Sequence, residues 1–112
     1  LKYNKYSNKK VTIDGYKFDS KREAKRYTEL KLLLRGKKIH DLVLQPSYVL
    51  QCAFKHDNKT HRSIKYVADF KYTQNGEVIV EDVKGFKTDI YNLKKKLFLF
   101  RYGEEVTFRE KC

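Results

Sequence analysis

Cysteine and proline are scarce in this sequence, acidic residues are far outnumbered by basic ones, and a long apolar run is absent. Two cysteines, Cys52 and Cys112, stand far apart in a chain of 112 residues. So few thiols exclude a disulfide framework, and both read as reduced thiols in a cytoplasmic compartment. No apolar run approaches the ~20 residues that cross a bilayer, so no membrane partner is expected. The first ten residues are polar and basic, which leaves no signal peptide to expect. Cys52, His56 and His61 lack a fourth ligand, so a structural zinc site is not expected. No Ser-His-Asp set, Walker loop or dinucleotide fingerprint is present.

Acid is scarce against a large excess of base. Lysine and arginine number 26 against 14 acids, a formal charge of +12. So high a charge on so short a chain calls for a polyanion. Nucleic acid fits better than a membrane surface, because the lysines spread over the whole chain and not along one amphipathic helix. Nine Tyr and seven Phe add stacking surface, although most of them belong in the core.

Residues 1–10 lack periodicity and read as a flexible basic arm, followed by one domain over 11–112. Asp14-Gly15 favours a two-residue hairpin turn, with Val11, Ile13, Tyr16 and Phe18 on one face. A helix is expected from Lys21 to Arg35. Ser20 is its N-cap, Glu23 completes a capping box, and Ala24, Tyr27, Leu30 and Leu34 form the buried stripe. Gly36 is placed to end it. The strand-like run IHDLVLQPSYVLQ is interrupted by Pro46, the single proline, which predicts a kink, bulge or edge position. Residues 55–63 read as a polar loop. Two β-rich runs flank Asn75-Gly76, the strongest short hairpin signal. A second helix is expected from Thr88 to Tyr102, with Ile90, Leu93, Leu97 and Phe100 as its inner stripe, and EEVTFRE as a last strand. This order describes an α/β or α+β sheet domain with helices packed on it.

The Asn75-Gly76 hairpin also predicts where chemistry lies. If it is a two-residue loop, paired residue numbers sum to 151. Asp69 then falls opposite Asp82, and Val67 opposite Lys84. Opposed Cβ atoms lie roughly 4.5–5.5 Å apart, and Asp82 and Lys84 share a face of one strand. Two opposed carboxylates repel unless something neutralises them, and Mg²⁺ can do so through one or two carboxylates plus water. The alternative is that all three are ordinary residues of a half-exposed sheet face. Glu81 points to the face opposite Asp82.

Asp69 followed by Asp82-Val83-Lys84 resembles the PD-(D/E)xK nuclease signature, with Ala68 in place of the proline. The ordered set FDSKREAKRY, LVLQP, YVADFKY and VIVEDVKG, then a lysine-rich helix, resembles small phage-encoded endonuclease-like proteins over roughly residues 10–102. The resemblance implies a restriction-endonuclease-like core, with a mixed central sheet flanked by two helices and an N-terminal hairpin. It implies Asp69 and Asp82 as metal ligands, Lys84 as the catalytic lysine, and Mg²⁺, for which Mn²⁺ substitutes. It also makes Glu23 a further metal or water ligand, a role that competes with its place in the capping box. Gln45 could reach the site or serve only the kink.

The expected function is metal-dependent cleavage of DNA, branched or duplex, in a host cytoplasm. A non-catalytic nucleic-acid-binding module and an RNase are the alternatives. Tyr91, Lys94 and Lys95 on the second helix and Lys9 and Lys10 of the arm are the expected DNA contacts. A two-strand cut usually takes two active sites, which suggests a homodimer, yet no stripe is left over for an interface.

Overall fold

A computed structural model of the chain describes residues 10–112. The expected basic arm, with Lys9, therefore lies outside the described residues except for Lys10. The fold begins with a hairpin of β1 (Val11–Ile13) and β2 (Tyr16–Phe18). Asp14 and Gly15 have φ of 54° and 81°, the positive pair that a type I′ turn requires. The expected register follows, with Val11 opposite Phe18 and Ile13 opposite Tyr16. Phe18 is buried, whereas Tyr16 stays half exposed against the edge of Tyr27.

Helix α1 runs over Lys21–Arg35, capped by Ser20, whose hydroxyl accepts the Glu23 N–H at 3.1 Å. Its buried residues are Glu23, Ala24, Tyr27 and Leu30, while Leu34 is only partly covered. Gly36 is the C-cap, but the left-handed residue is Lys37, with φ of 59°. The Lys37 and Lys38 N–H groups donate to the carbonyls of Leu34 and Leu33, the Schellman pattern. The glycine therefore stands one position before the residue that needs positive φ.

Pro46 divides its run into β3 (His40–Leu44) and β4 (Ser47–Gln51). Residues 55–63 are not the expected loop: β5 (Phe54–His56) and β6 (Lys59–His61) form an exposed hairpin. Asp57 and Asn58 make its turn, with φ of 50° and 61°. Both faces of this hairpin meet solvent, so no alternation of apolar residues marks it in the sequence. The next run is broken at Ala68-Asp69 into β7 (Ile64–Val67) and β8 (Phe70–Gln74). The two breaks face each other: Ala68 N–H donates to the Pro46 carbonyl, and Gln45 N–H to the Asp69 carbonyl. One long ribbon is thus bent at a single level. Its outer half pairs β4 with β7, and its inner half, β3 with β8, joins the main sheet.

That sheet is completed by β9 (Glu77–Val83) and β10 (Thr107–Lys111), in the order β10-β9-β8-β3. The β8–β9 hairpin turns at Asn75-Gly76, and its pairs run from Gln74 with Glu77 to Phe70 with Glu81, each summing to 151. Helix α2 (Asp89–Tyr102), capped by Thr88, crosses one face so that β10 lies parallel to β9, as such a connection must. Helix α1 covers the other face over Phe70, Tyr72 and Ile79. The architecture is a mixed α/β one, mostly strands, with two helices and an N-terminal hairpin. No helix among the described residues is long and apolar enough to cross a membrane.

Helix α2 is turned differently from its expected pose. Ile90, Leu93 and Phe100 are 68%, 59% and 89% exposed, and Leu97 is exposed as well. The buried residues are Tyr91 and Phe98. They join Tyr48, Tyr66, Tyr102 and Phe108 in an aromatic cluster under the helix. Large rings bury more apolar surface than leucines do, and the Tyr91 and Tyr102 hydroxyls find acceptors on Glu110 and Val49. The helix carries two apolar stripes, and the aromatic one wins the core.

Candidate active site

The bend in the ribbon creates the site. Asp69 occupies the break between β7 and β8, where regular pairing with β9 stops at Phe70. Its N–H donates to the Glu81 carbonyl at 3.2 Å and to Asp82 Oδ1 at 3.0 Å. Its own carboxylate accepts the Val83 N–H at 2.7 Å. Each aspartate therefore takes up a backbone donor beside the other, and side chains replace the ladder for one step. The opposition of Asp69 and Asp82 expected from the register is present in this interlocked form. Val67 does not face Lys84, because the bend sends it to Ser47 of β4. The Lys84 N–H donates instead to the Lys111 carbonyl on β10.

Asp82 is 1% exposed, and its second oxygen accepts the Tyr66 hydroxyl. Asp69 is partly buried and Glu23, arriving from α1, is buried. Burial pushes the Asp82 carboxyl up to about 7, and the neighbouring Asp69 charge adds to the shift. Burial likewise pushes Asp69 up to about 6, with the Glu23 charge adding. Glu23 is raised by burial and then by Asp19. The Lys84 charge acts against the rise at all three groups but does not cancel it. The Lys84 ammonium lies 4.8 Å from the centre of the Tyr91 ring. None of the ion pairs among the described residues includes Asp69, Asp82 or Glu23.

Glu81, one residue earlier, lies on the α1 face as alternation predicts. It accepts Arg26 at 2.6 and 3.0 Å and the Tyr72 hydroxyl at 2.6 Å. It is neutralised within the core and stands apart from the aspartates.

Among the described residues no three His, Cys, Asp or Glu side chains enclose a ready-made metal cage. Mg²⁺ does not need one, since it keeps several waters and binds through one or two carboxylates. The donors here are carboxylate oxygens only, the hard type that such an ion prefers. Two adjoining carboxylates with raised pKa values also lack the positive charge that an ion would bring. The donor set therefore fits a hydrated divalent cation on Asp69 and Asp82.

The expected DNA contacts fare less well. Tyr91 is buried and donates its hydroxyl to Glu110 at 2.6 Å, so its ring is not free to stack on a base. Lys95 is paired with the same Glu110 at 3.1 Å. Burial works to raise the Glu110 carboxyl, but Tyr91, Lys95 and Lys87 overcome it and hold the group below its ordinary value. Lys94 is half buried, and Lys10 pairs with Asp19 at 3.5 Å on the surface. Gln45 is exposed with φ of 52°, and its N–H holds the Asp69 carbonyl. Its backbone fixes the kink that positions Asp69.

A basic wall was missed at the sequence level. A cavity of about 380 Å³ lies beside α1, lined by Lys21, Arg22, Lys25 and Arg26 with Val83 and Lys111. The signal was present in KREAKR, where two cation pairs recur at i,i+4 on one helical face.

A family model described as "Protein of unknown function (DUF1064)" matches residues 3–112. No curated protein matches the chain.

Proposed function

We propose that this chain, which belongs to the DUF1064 family, is a divalent-metal-dependent nuclease that hydrolyses phosphodiester bonds in DNA. The observation that carries this reading is a local deficit of positive charge in a chain of net charge +12. Asp69 and Asp82 interlock in a buried site with raised pKa values, and no ion pair among the described residues answers them. A structural role alone leaves that electrostatic cost without a return, as Glu81 and its Arg26 partner illustrate one residue away. A restriction-endonuclease-like core belongs to the same reading. Strands β8 and β9 bring the acids to the split end of a mixed sheet held between two helices.

In this reading Asp69 and Asp82 hold Mg²⁺, with Mn²⁺ as a substitute. When bound, the ion polarises the scissile phosphate and lowers the pKa of an attacking water. Lys84 orients that water and stabilises charge developing on the phosphate. Glu23, buried and close enough to Asp69 for its charge to be felt there, would offer a carboxylate oxygen to the same water. Tyr66 holds Asp82 in place through its second oxygen. The overall positive charge draws the polyanion in. Cutting both strands of a duplex takes two such sites, and hence two copies of the chain.

The test is a cleavage panel of duplex, nicked and branched DNA together with RNA, with and without Mg²⁺. Metal-dependent cleavage of at least one DNA, lost in Asp82→Asn, is expected. No cleavage of any substrate, or equal cleavage by Asp82→Asn, would leave a binding module as the better account. Cleavage confined to RNA would change the substrate and keep the chemistry.

A further inference from the structure

We infer that the cationic cavity beside α1 is a phosphate-binding anchor for nucleic acid, separate from the carboxylate site and adjoining it across the end of β9. This deepens the proposed function and rests on its choice of nucleic acid, not on its chemistry. Lys21, Arg22, Lys25 and Lys111 line the cavity, and among the described residues none of them is in an ion pair. Arg26 is committed to Glu81 and Glu29, so the one acid lining the cavity is already answered. Like charges at i,i+4 disfavour a helix. The pair Lys21 with Lys25 is therefore a cost to α1 that a bound anion removes.

Chain topology gathers these cations from two elements, α1 and β10, at the end of β9. Parallel pairing sets Lys111 of β10 against Val83 of β9. Val83 lies between Asp82 and Lys84, and Arg22 precedes Glu23 on the helix. The Arg22 guanidinium lies across the strand end over Gly85, with Nη1 1.9 Å from where a Cβ at that position would stand. Carboxylates and cations thus occupy two sides of one strand terminus. A nucleic-acid strand crossing that terminus has one phosphate at Asp82 and Lys84 and its neighbours over Arg22 and Lys25. The ligand class is a chain of phosphodiesters read through its backbone, without base specificity.

The test is metal-free binding of a fluorescent DNA oligonucleotide to the full chain by anisotropy, over a range of salt. In the triple variant K21Q/R22Q/K25Q affinity falls on the order of thirtyfold and the log–log salt slope shrinks by about 2–3. The charge-matched triple K55Q/K59Q/K65Q, on the exposed hairpin and β7, keeps the slope within about 1. Circular dichroism checks that both variants fold, which their exposed positions favour. Equal losses in the two triples, or none in the first, overturn the anchor. Inorganic phosphate at matched ionic strength leaves the oligonucleotide bound. Its displacement would reassign the cavity to a small phosphate ligand and overturn the inference as well. Because no metal or cleavage enters the assay, its failure is distinct from failure of the proposed nuclease activity.

Discussion

Glu81 and Asp82 are neighbours on one strand, both buried, and they meet opposite fates. Glu81 faces α1, where Arg26 and Tyr72 satisfy it with three hydrogen bonds. Asp82 faces α2, where its partners are a tyrosine hydroxyl, the Asp69 N–H and a second carboxylate. The chain supplies a cation to one acid and lets another acid approach the other. A buried charge needs a partner or shifts its pKa until it is neutral. Glu81 shows the first solution, and Asp82, with its pKa raised, shows half of the second. The difference teaches that acid burial alone does not mark a site. What marks it is that, among the described residues, no cation pairs with the acid, and the nearby Lys84 charge does not cancel the rise.

The largest effect should come from removing the uncompensated charge. Asp82→Asn should lower cleavage about 10³-fold or more, which corresponds to roughly 4 kcal/mol of lost transition-state stabilisation. The same variant should unfold at the wild-type urea midpoint or above it, since one of two repelling acids is gone. A large loss of stability in Asp82→Asn would place the residue with Glu81 as a structural acid. The next effect breaks the satisfied partner: Arg26→Ala should cost about 3–5 kcal/mol by urea unfolding, because Glu81 is left buried and unpaired.

A smaller effect is written in pH. The Asp69 and Asp82 carboxyls have folded pKa values above the ordinary value of 3.8, so the folded state binds protons more readily than the unfolded one. Their stabilisation is complete below the ordinary value and is lost as pH rises through about 6 and about 7. Unfolding free energy should therefore rise as pH falls from 8 to 5, by more than about 1 kcal/mol. Glu110, held below its ordinary value, opposes this only in more acidic solution. Mg²⁺ should flatten the profile by stabilising the ionised pair at pH 8. A profile unchanged in Asp82→Asn would assign the pH effect elsewhere. The smallest effect concerns Tyr48, which is half-buried. Tyr72 and Tyr66 donate to Glu81 and Asp82, whereas the Tyr48 hydroxyl is buried without a partner among the described residues. Tyr48→Phe should change stability by less than about 0.5 kcal/mol or raise it slightly, because no hydrogen bond is lost.

Local rules carried the sequence far where the determinants are local. Asp14-Gly15 and Asn75-Gly76 set their hairpins because positive φ is demanded within two residues. Ser20 set the start of α1 through one hydroxyl. The meeting of Asp69 and Asp82 was legible because a two-residue turn fixes every pair after it. What stopped the register at Phe70 was not legible, since it depends on Pro46 between β3 and β4. The orientation of α2 was hidden for a related reason. Its two apolar stripes have the same helical period, and only rings brought in from β4, β7 and β10 decide between them. The basic cavity joins α1 to the parallel strand β10, a contact that no local pattern announces.

The outward stripe of α2 has a colloidal consequence. Ile90, Leu93 and Phe100 make a patch on which two chains attract at contact range, while the net charge of +12 makes them repel from farther away. Salt acts on only one of these forces, shortening the reach of the repulsion from ~10 Å at 0.1 M to ~3 Å at 1 M. Dilute buffer therefore keeps the molecules apart, and concentrated salt leaves the contact attraction unopposed. Dispersion of this protein in solution is a property of its charge, and the helix sets the ionic strength at which that protection fails.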